Sequence, residues 1–105
     1  MKDYEVTINQ LIADELNRAN EMYPDFHSYH EAYGVLKEEI EEADHDMEYV
    51  KIHLNNVWAY TKCNDQGKAL MHIGCCKERA RNAIYELIQV CAMCDKAVLS
   101  LEGDD

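Results

Sequence analysis

Residues 29–62 read YHEAYGVLKEEIEEADHDMEYVKIHLNNVWAYTK. Within them Ala32, Leu36, Ile40, Ala43, Met47, Val50, Leu54 and Val57 recur in steps of three and four, the period of one face of an α-helix. Ser28-Tyr29-His30-Glu31 fits a capping box, in which the Ser hydroxyl and the Glu carboxylate satisfy free N–H groups of the first turn. No Pro or Gly interrupts residues 35–66. The pattern predicts one helix over 29–62, about 50 Å long at the α-helical rise.

The flanks follow from this segment. Cys63-Asn64-Asp65-Gln66-Gly67 reads as a turn. Beyond it Leu70, Ile73, Ala80, Ile84, Leu87, Cys91, Cys94, Val98 and Leu101 step by three, four or seven, a third helix with a weak point at Gly74. Upstream, Thr7-Ile8-Asn9-Gln10 fits another capping box, Ile8, Leu11, Ile12, Leu16 and Ala19 keep helical spacing, and Pro24 marks a stop. The expected fold is all-α: a short N-terminal helix plus a long antiparallel hairpin, in a single domain over 1–105. The acidic tail, about 102–105, is expected to fray. One short helix cannot cover such a hairpin. Apolar surface including Trp58 should stay open in a monomer, which predicts a homo-oligomer, a dimer or tetramer, with a two-fold dimer burying that surface first.

Composition narrows the function. The 105 residues carry 21 acidic and 10 basic side chains, a formal charge of −11. Such a surface repels phosphate backbones and anionic lipid, which argues against duplex nucleic acid as a partner. No apolar run approaches the roughly 20 residues that span a membrane. The start, Met1-Lys2-Asp3-Tyr4-Glu5, lacks signal-peptide character, so the expectation is a cytoplasmic protein without a membrane partner. Five Cys (63, 75, 76, 91 and 94) are an odd number, and free thiols are expected rather than a disulfide framework.

Chemistry concentrates in Glu38-Glu39-Ile40-Glu41-Glu42 and in Glu86-Leu87-Ile88-Gln89. Carboxylates three residues apart share a helix face. On a helical wheel Glu39 falls inside the apolar arc of the second helix, beside Val50 and Val57, and Glu42 falls at its edge. Glu38 and Glu41 fall on the other side. Glu86 falls among Val90, Met93 and Ala97. A buried carboxylate needs a partner, and a hard cation is one. The hairpin register sets Glu39 and Glu42 beside Glu86 and Gln89. The competing reading is a solvated acidic face.

Glu38-Glu39-x-x-Glu42 followed by Glu86-x-x-Gln89 resembles the EExxE…ExxD pattern of MazG-like nucleotide pyrophosphohydrolases, of the all-α NTP pyrophosphatase group. Phe26-His27-Ser28-x-His30-Glu31-Ala32-Tyr33 and Glu86-Leu87-Ile88-Gln89-Val90-Cys91-Ala92-Met93 resemble the short members from phages and Gram-positive bacteria. The resemblance implies a helical bundle completed by oligomerisation. It implies Mg²⁺-dependent hydrolysis of a nucleoside or deoxynucleoside triphosphate to monophosphate and pyrophosphate, with Mn²⁺ as the alternative metal. It implies Glu39, Glu42, Glu86 and Gln89 as the metal ligands, and Glu38 with Glu39 as catalytic carboxylates, Glu38 in a supporting role. Gln89 stands where the family has Asp. It offers a neutral carbonyl oxygen and no charge, so metal affinity and rate should fall. The rival reading is a non-catalytic helical oligomer that acts as a protein-interaction module.

Other residues have bland readings beside sharp ones. Lys37, Lys77, Arg79 and Arg81 are candidate phosphate contacts or solvated helix charges. Cys91-x-x-Cys94 has half-site spacing for zinc or redox chemistry, but its place on the apolar seam predicts core packing. His72, Cys75 and Cys76 make another half-site. Tyr29 and Tyr33, nearest the acidic motif, are a candidate base-stacking wall or helix contacts, and His27 and His30 flank a helix start.

Overall fold

The computed structural model describes residues 2–23 and 25–102. They form three helices, α1 (Lys2–Met22), α2 (Tyr29–Lys62) and α3 (Gln66–Leu101), and no strand occurs among the described residues. The fold is all-α, as the periodicity predicts. None of the helices is long and apolar enough to cross a membrane.

The ends of α2 show why it starts and stops where the sequence predicts. Ser28 Oγ accepts the Glu31 N–H at 3.1 Å. The Glu31 carboxylate reaches back to the N–H of His27 at 3.2 Å, one residue earlier than the standard box. At the other end Asn64 takes a left-handed conformation, φ 60°. The Asp65 N–H bonds Tyr60 O at 3.0 Å and the Asn64 N–H bonds Thr61 O at 3.1 Å. This pair of bonds is a Schellman stop, and Asn tolerates the left-handed position better than most residues. Asp65 Oδ1 then accepts the Lys68 N–H at 3.1 Å and caps α3.

The N-terminal helix departs from expectation. It begins at Lys2, not at Thr7. Thr7 lies inside the helix, with its hydroxyl donating to Asp3 O at 3.0 Å, while the Gln10 amide donates to Asp14. Asp3 and Glu5 in the first turn complement the positive end of the helix dipole and support the earlier start. The expected stop at Pro24 and the frayed tail beyond Glu102 lie outside the described residues. Helix α3 continues through Gly74.

Packing of the backbone separates two compact units, one drawn from Met1–Ile40 with Glu86–Asp105 and the other from Glu41–Tyr85. In the first, Phe26, Ala32, Ala92, Met93 and Leu101 are buried together, with Ile12, Leu16, Ala19, Val35, Leu36 and Ala97 packed against them. Ala32 and Ala92 keep the helix surfaces close, and Ala92 has no exposed surface. The loop after α1 is anchored where the Phe26 N–H donates to Ser100 Oγ at 3.0 Å.

In the second unit the two helices run antiparallel. Asp46 meets Arg79, Val50 meets Cys76 and His53 meets His72, so the partner number falls as the first rises. Ala43 and Ala83 are its buried residues. The outward faces are apolar: Met47, Leu54 and Trp58 on α2, and Leu70, Ile73 and Ile84 on α3, are all exposed. In the first unit Tyr33, Ile40, Leu87 and Val98 are exposed as well. Cys91 and Cys94 are exposed too, contrary to the core packing expected of them. Helix α3 is apolar on two sides, and in the first unit the side bearing Met93 and Ala97 is the one the chain covers.

Candidate metal centre and adjoining pocket

Glu39 and Glu86 are half-buried, as their places in the apolar arcs predict. Glu42, one turn beyond Glu39 on the same uninterrupted helix, is exposed. Glu39 and Glu86, both in the first unit, each place a carboxylate oxygen within 4.8 Å of the other, while Glu42 belongs to the second unit. Gln89, one turn after Glu86, is half-buried beside them. Its amide is satisfied with the nitrogen turned inward, where it donates to Glu39 Oε2 at 2.7 Å and to Glu86 Oε2 at 3.2 Å. Two facing carboxylates repel, and the two N–H groups of one amide relieve them both. In this orientation the Gln89 carbonyl oxygen, the atom expected of a ligand, points away from the two carboxylates. Glu38 and Glu41 are exposed and stand outside the group.

The oxygen donor set suits a hard divalent cation. Octahedral Mg²⁺ needs neighbouring ligand oxygens about 3 Å apart, so a spread of under 4.8 Å closes with small rotamer changes. Glu39 and Glu86 are the donors of this kind inside the first unit. Gln89 fits only after its amide turns over.

Glu39 and Gln89 also line a cavity of about 470 Å³ within the first unit. Its wall includes the aromatic rings of Tyr23, Phe26 and His27 and the cations Arg18 and Lys96. Lys96 is buried, 5% exposed. Its ammonium donates to the Tyr23 carbonyl and lies 4.7 Å from the Phe26 ring centroid. Glu15, Asp25 and Glu31 line the same cavity beside Lys96 and Arg18. Arg18 is held by Glu15 through two guanidinium hydrogen bonds. The volume falls in the range of small-molecule sites.

The sequence pointed to other cations. Arg79 pairs with Asp46 at 3.4 Å and lies 4.1 Å over the Tyr49 ring. Arg81 bonds the Tyr85 hydroxyl at 3.0 Å and pairs with Glu78. Lys37 and Lys77 are exposed. None of these four lines the cavity. Arg18 and Lys96 were the missed residues, and Lys96 had a signal: it follows Gln89 by seven positions, two turns along the same face. Tyr29 and Tyr33 line a different, more open hollow with Leu36 and Val98, so the aromatic wall near Glu39 belongs to Tyr23, Phe26 and His27.

No protein-family model matches the chain, and neither a curated protein nor a solved structure matches it.

Proposed function

We propose that the protein is a Mg²⁺-dependent nucleoside triphosphate pyrophosphohydrolase, weak in its present form. The observation that supports this reading is the placement of Glu39: it faces the Glu86 carboxylate and lines the wall of a pocket with a buried lysine. In this reading Glu39, Glu42 and Glu86 hold the metal. Mg²⁺, when bound, neutralises charge developing on phosphoryl oxygens and acidifies a coordinated water. Lys96 and Arg18 take the distal phosphates. Tyr23, Phe26 and His27 offer flat surfaces to the base. A cluster carboxylate accepts the proton of the water that attacks the α-phosphorus, and pyrophosphate leaves with the electron pair of the broken bond. Glu38, exposed on the neighbouring face, contributes charge and no direct contact.

Gln89 sets the rate in this account. Its amide already occupies Glu39 and Glu86, and it must turn before it can offer oxygen. Gln89→Asp restores a fourth anion and should raise metal affinity and turnover together. The assay is pyrophosphate release from a panel of ribo- and deoxyribonucleoside triphosphates across Mg²⁺ and Mn²⁺ titrations, for the parent and Gln89→Asp. Weak, metal-limited release by the parent and faster release by the variant are expected. No release by either at saturating metal overturns the enzymatic reading.

A second reading has its own support. The apolar outer stripes on α2 and α3 and the amide clamp at Gln89 favour a non-catalytic helical oligomer that acts through protein contacts. Both readings need self-association, which sedimentation at low micromolar concentration detects. Pyrophosphate release then separates them.

A further inference from the structure

A second group of potential ligands lies wholly inside the unit formed by Glu41–Tyr85. His53 on α2 faces His72 and Cys75 on α3, and one ligand atom from each lies within 4.8 Å of the others. The two imidazoles meet through Nδ1 on both sides, 2.9 Å apart. His72 and Cys75 are three positions apart and therefore share a helix face. All three are half-buried. The neighbouring thiol of Cys76 is turned elsewhere, to Val50 O at 3.6 Å, so Cys75 is the sulfur of this group. Tyr60 stacks on the His72 ring, with centroids 5.5 Å apart and planes 11° from parallel, and fixes its orientation.

We propose that His53, His72 and Cys75 bind Zn²⁺ and pin α2 to α3. Two imidazole nitrogens and one thiolate are borderline-to-soft donors, matched to zinc and poorly matched to Mg²⁺. Tetrahedral Zn²⁺, at roughly 2.0–2.1 Å from nitrogen and 2.3 Å from sulfur, sets its ligands about 3.3–3.7 Å apart. The imidazole pair opens by about 0.4 Å and the sulfur closes by about 1 Å or less to reach that geometry. Three protein ligands leave the fourth position to water. In the metal-free pair one Nδ1 carries the hydrogen that the other accepts. On binding, that proton moves to Nε2 of its own ring, and the Cys75 thiol gives its proton to solvent. The −11 chain charge favours divalent cations at every site, so selectivity comes from the donor set. This centre shares no residue with the carboxylate group.

The test is titration of the metal-free protein with Zn²⁺ against a chromophoric chelator, and with Co²⁺ as a spectroscopic probe. One Zn²⁺ per chain is expected, with a thiolate-to-cobalt charge-transfer band in the Co²⁺ form. Cys75→Ser should lose the band and bind Zn²⁺ roughly 100-fold more weakly, while Cys76→Ser keeps both. A measurement on the unmodified chain guards against a variant that misfolds. Zn²⁺ should slow alkylation of Cys75 by about 10-fold or more and leave the exposed Cys63 at its own rate. Equal Zn²⁺ affinity in parent and Cys75→Ser overturns the proposal. So does protection of Cys91 and Cys94 in place of Cys75, which would place the ion on the exposed Cys91-x-x-Cys94 pair.

Discussion

The two units solve the burial problem differently. The unit containing α1 covers its interior with three helical segments, and Phe26, Met93 and Leu101 are buried there. The unit formed by Glu41–Tyr85 has two segments and buries only Ala43 and Ala83. Its inward face mixes Ala43, Ala83 and half-buried Val50 and Val57 with polar contacts: Asp46 with Arg79, Cys76 on Val50 O, and His53 with His72. Two helices enclose too little volume to exclude water, so polar pairs occupy the seam and large apolar residues turn outward. The comparison teaches that apolar spacing alone does not say which stripe a chain buries by itself and which it leaves for something else.

The largest effect should come from the covered core. Phe26→Ala removes a buried ring and should cost about 3–5 kcal/mol in chemical unfolding. Hydrogen exchange should show the loss first in α1 and at the C-terminal end of α3. A loss spread evenly over Glu41–Tyr85 as well would break the contrast between the units.

A smaller effect is expected from the polar seam. Arg79 is partly exposed, and its pair with Asp46 and its place over Tyr49 are screened by water. Arg79→Ala should cost about 1 kcal/mol. A cost as large as that of Phe26→Ala would mean that the seam, not the core, carries stability. Leu54→Ser sharpens the point on the outer face, because a change at an exposed position of a monomer stays within about 0.5 kcal/mol. If copies of the chain cover that face, the variant should instead lose the concentration dependence of its melting temperature and sediment as a smaller species.

The smallest effect concerns Cys94. Partial burial of its thiol, then the neighbouring Cys91 and Asp95, pushes its pKa up. The neutral thiol is thereby favoured, less thiolate is present near neutral pH, and the stabilised neutral form is lost only as pH rises through the raised value. Cys94 should therefore alkylate more slowly than free cysteine at pH 7–8. A faster reaction would contradict this.

Much of the fold was legible. The extent of α2 followed from its unbroken period and from Ser28 and Glu31, and the turn followed from Asn64 and Asp65. Thr7 misled because its motif sits after two acidic residues that already suit a helix start. Cys91 and Cys94 misled because α3 carries two apolar stripes, and periodicity does not rank them. The half-burial of Glu39 and Glu86 was legible from their wheel positions. The burial of Lys96 was not, because it depends on the loop that brings Tyr23 and Phe26 against it. The pairing of His53 with His72 and Cys75 needed the register of the second unit, which no local motif encodes.

The most direct test of the proposed function is Mg²⁺ binding to the parent and to Glu39→Gln, followed by calorimetry and by melting temperature. An ion that binds only the folded state should stabilise it by linkage. The account predicts a saturable Mg²⁺ site in the parent with a rise in melting temperature, and loss of both in Glu39→Gln. A variant that binds Mg²⁺ and gains stability as the parent does would contradict it.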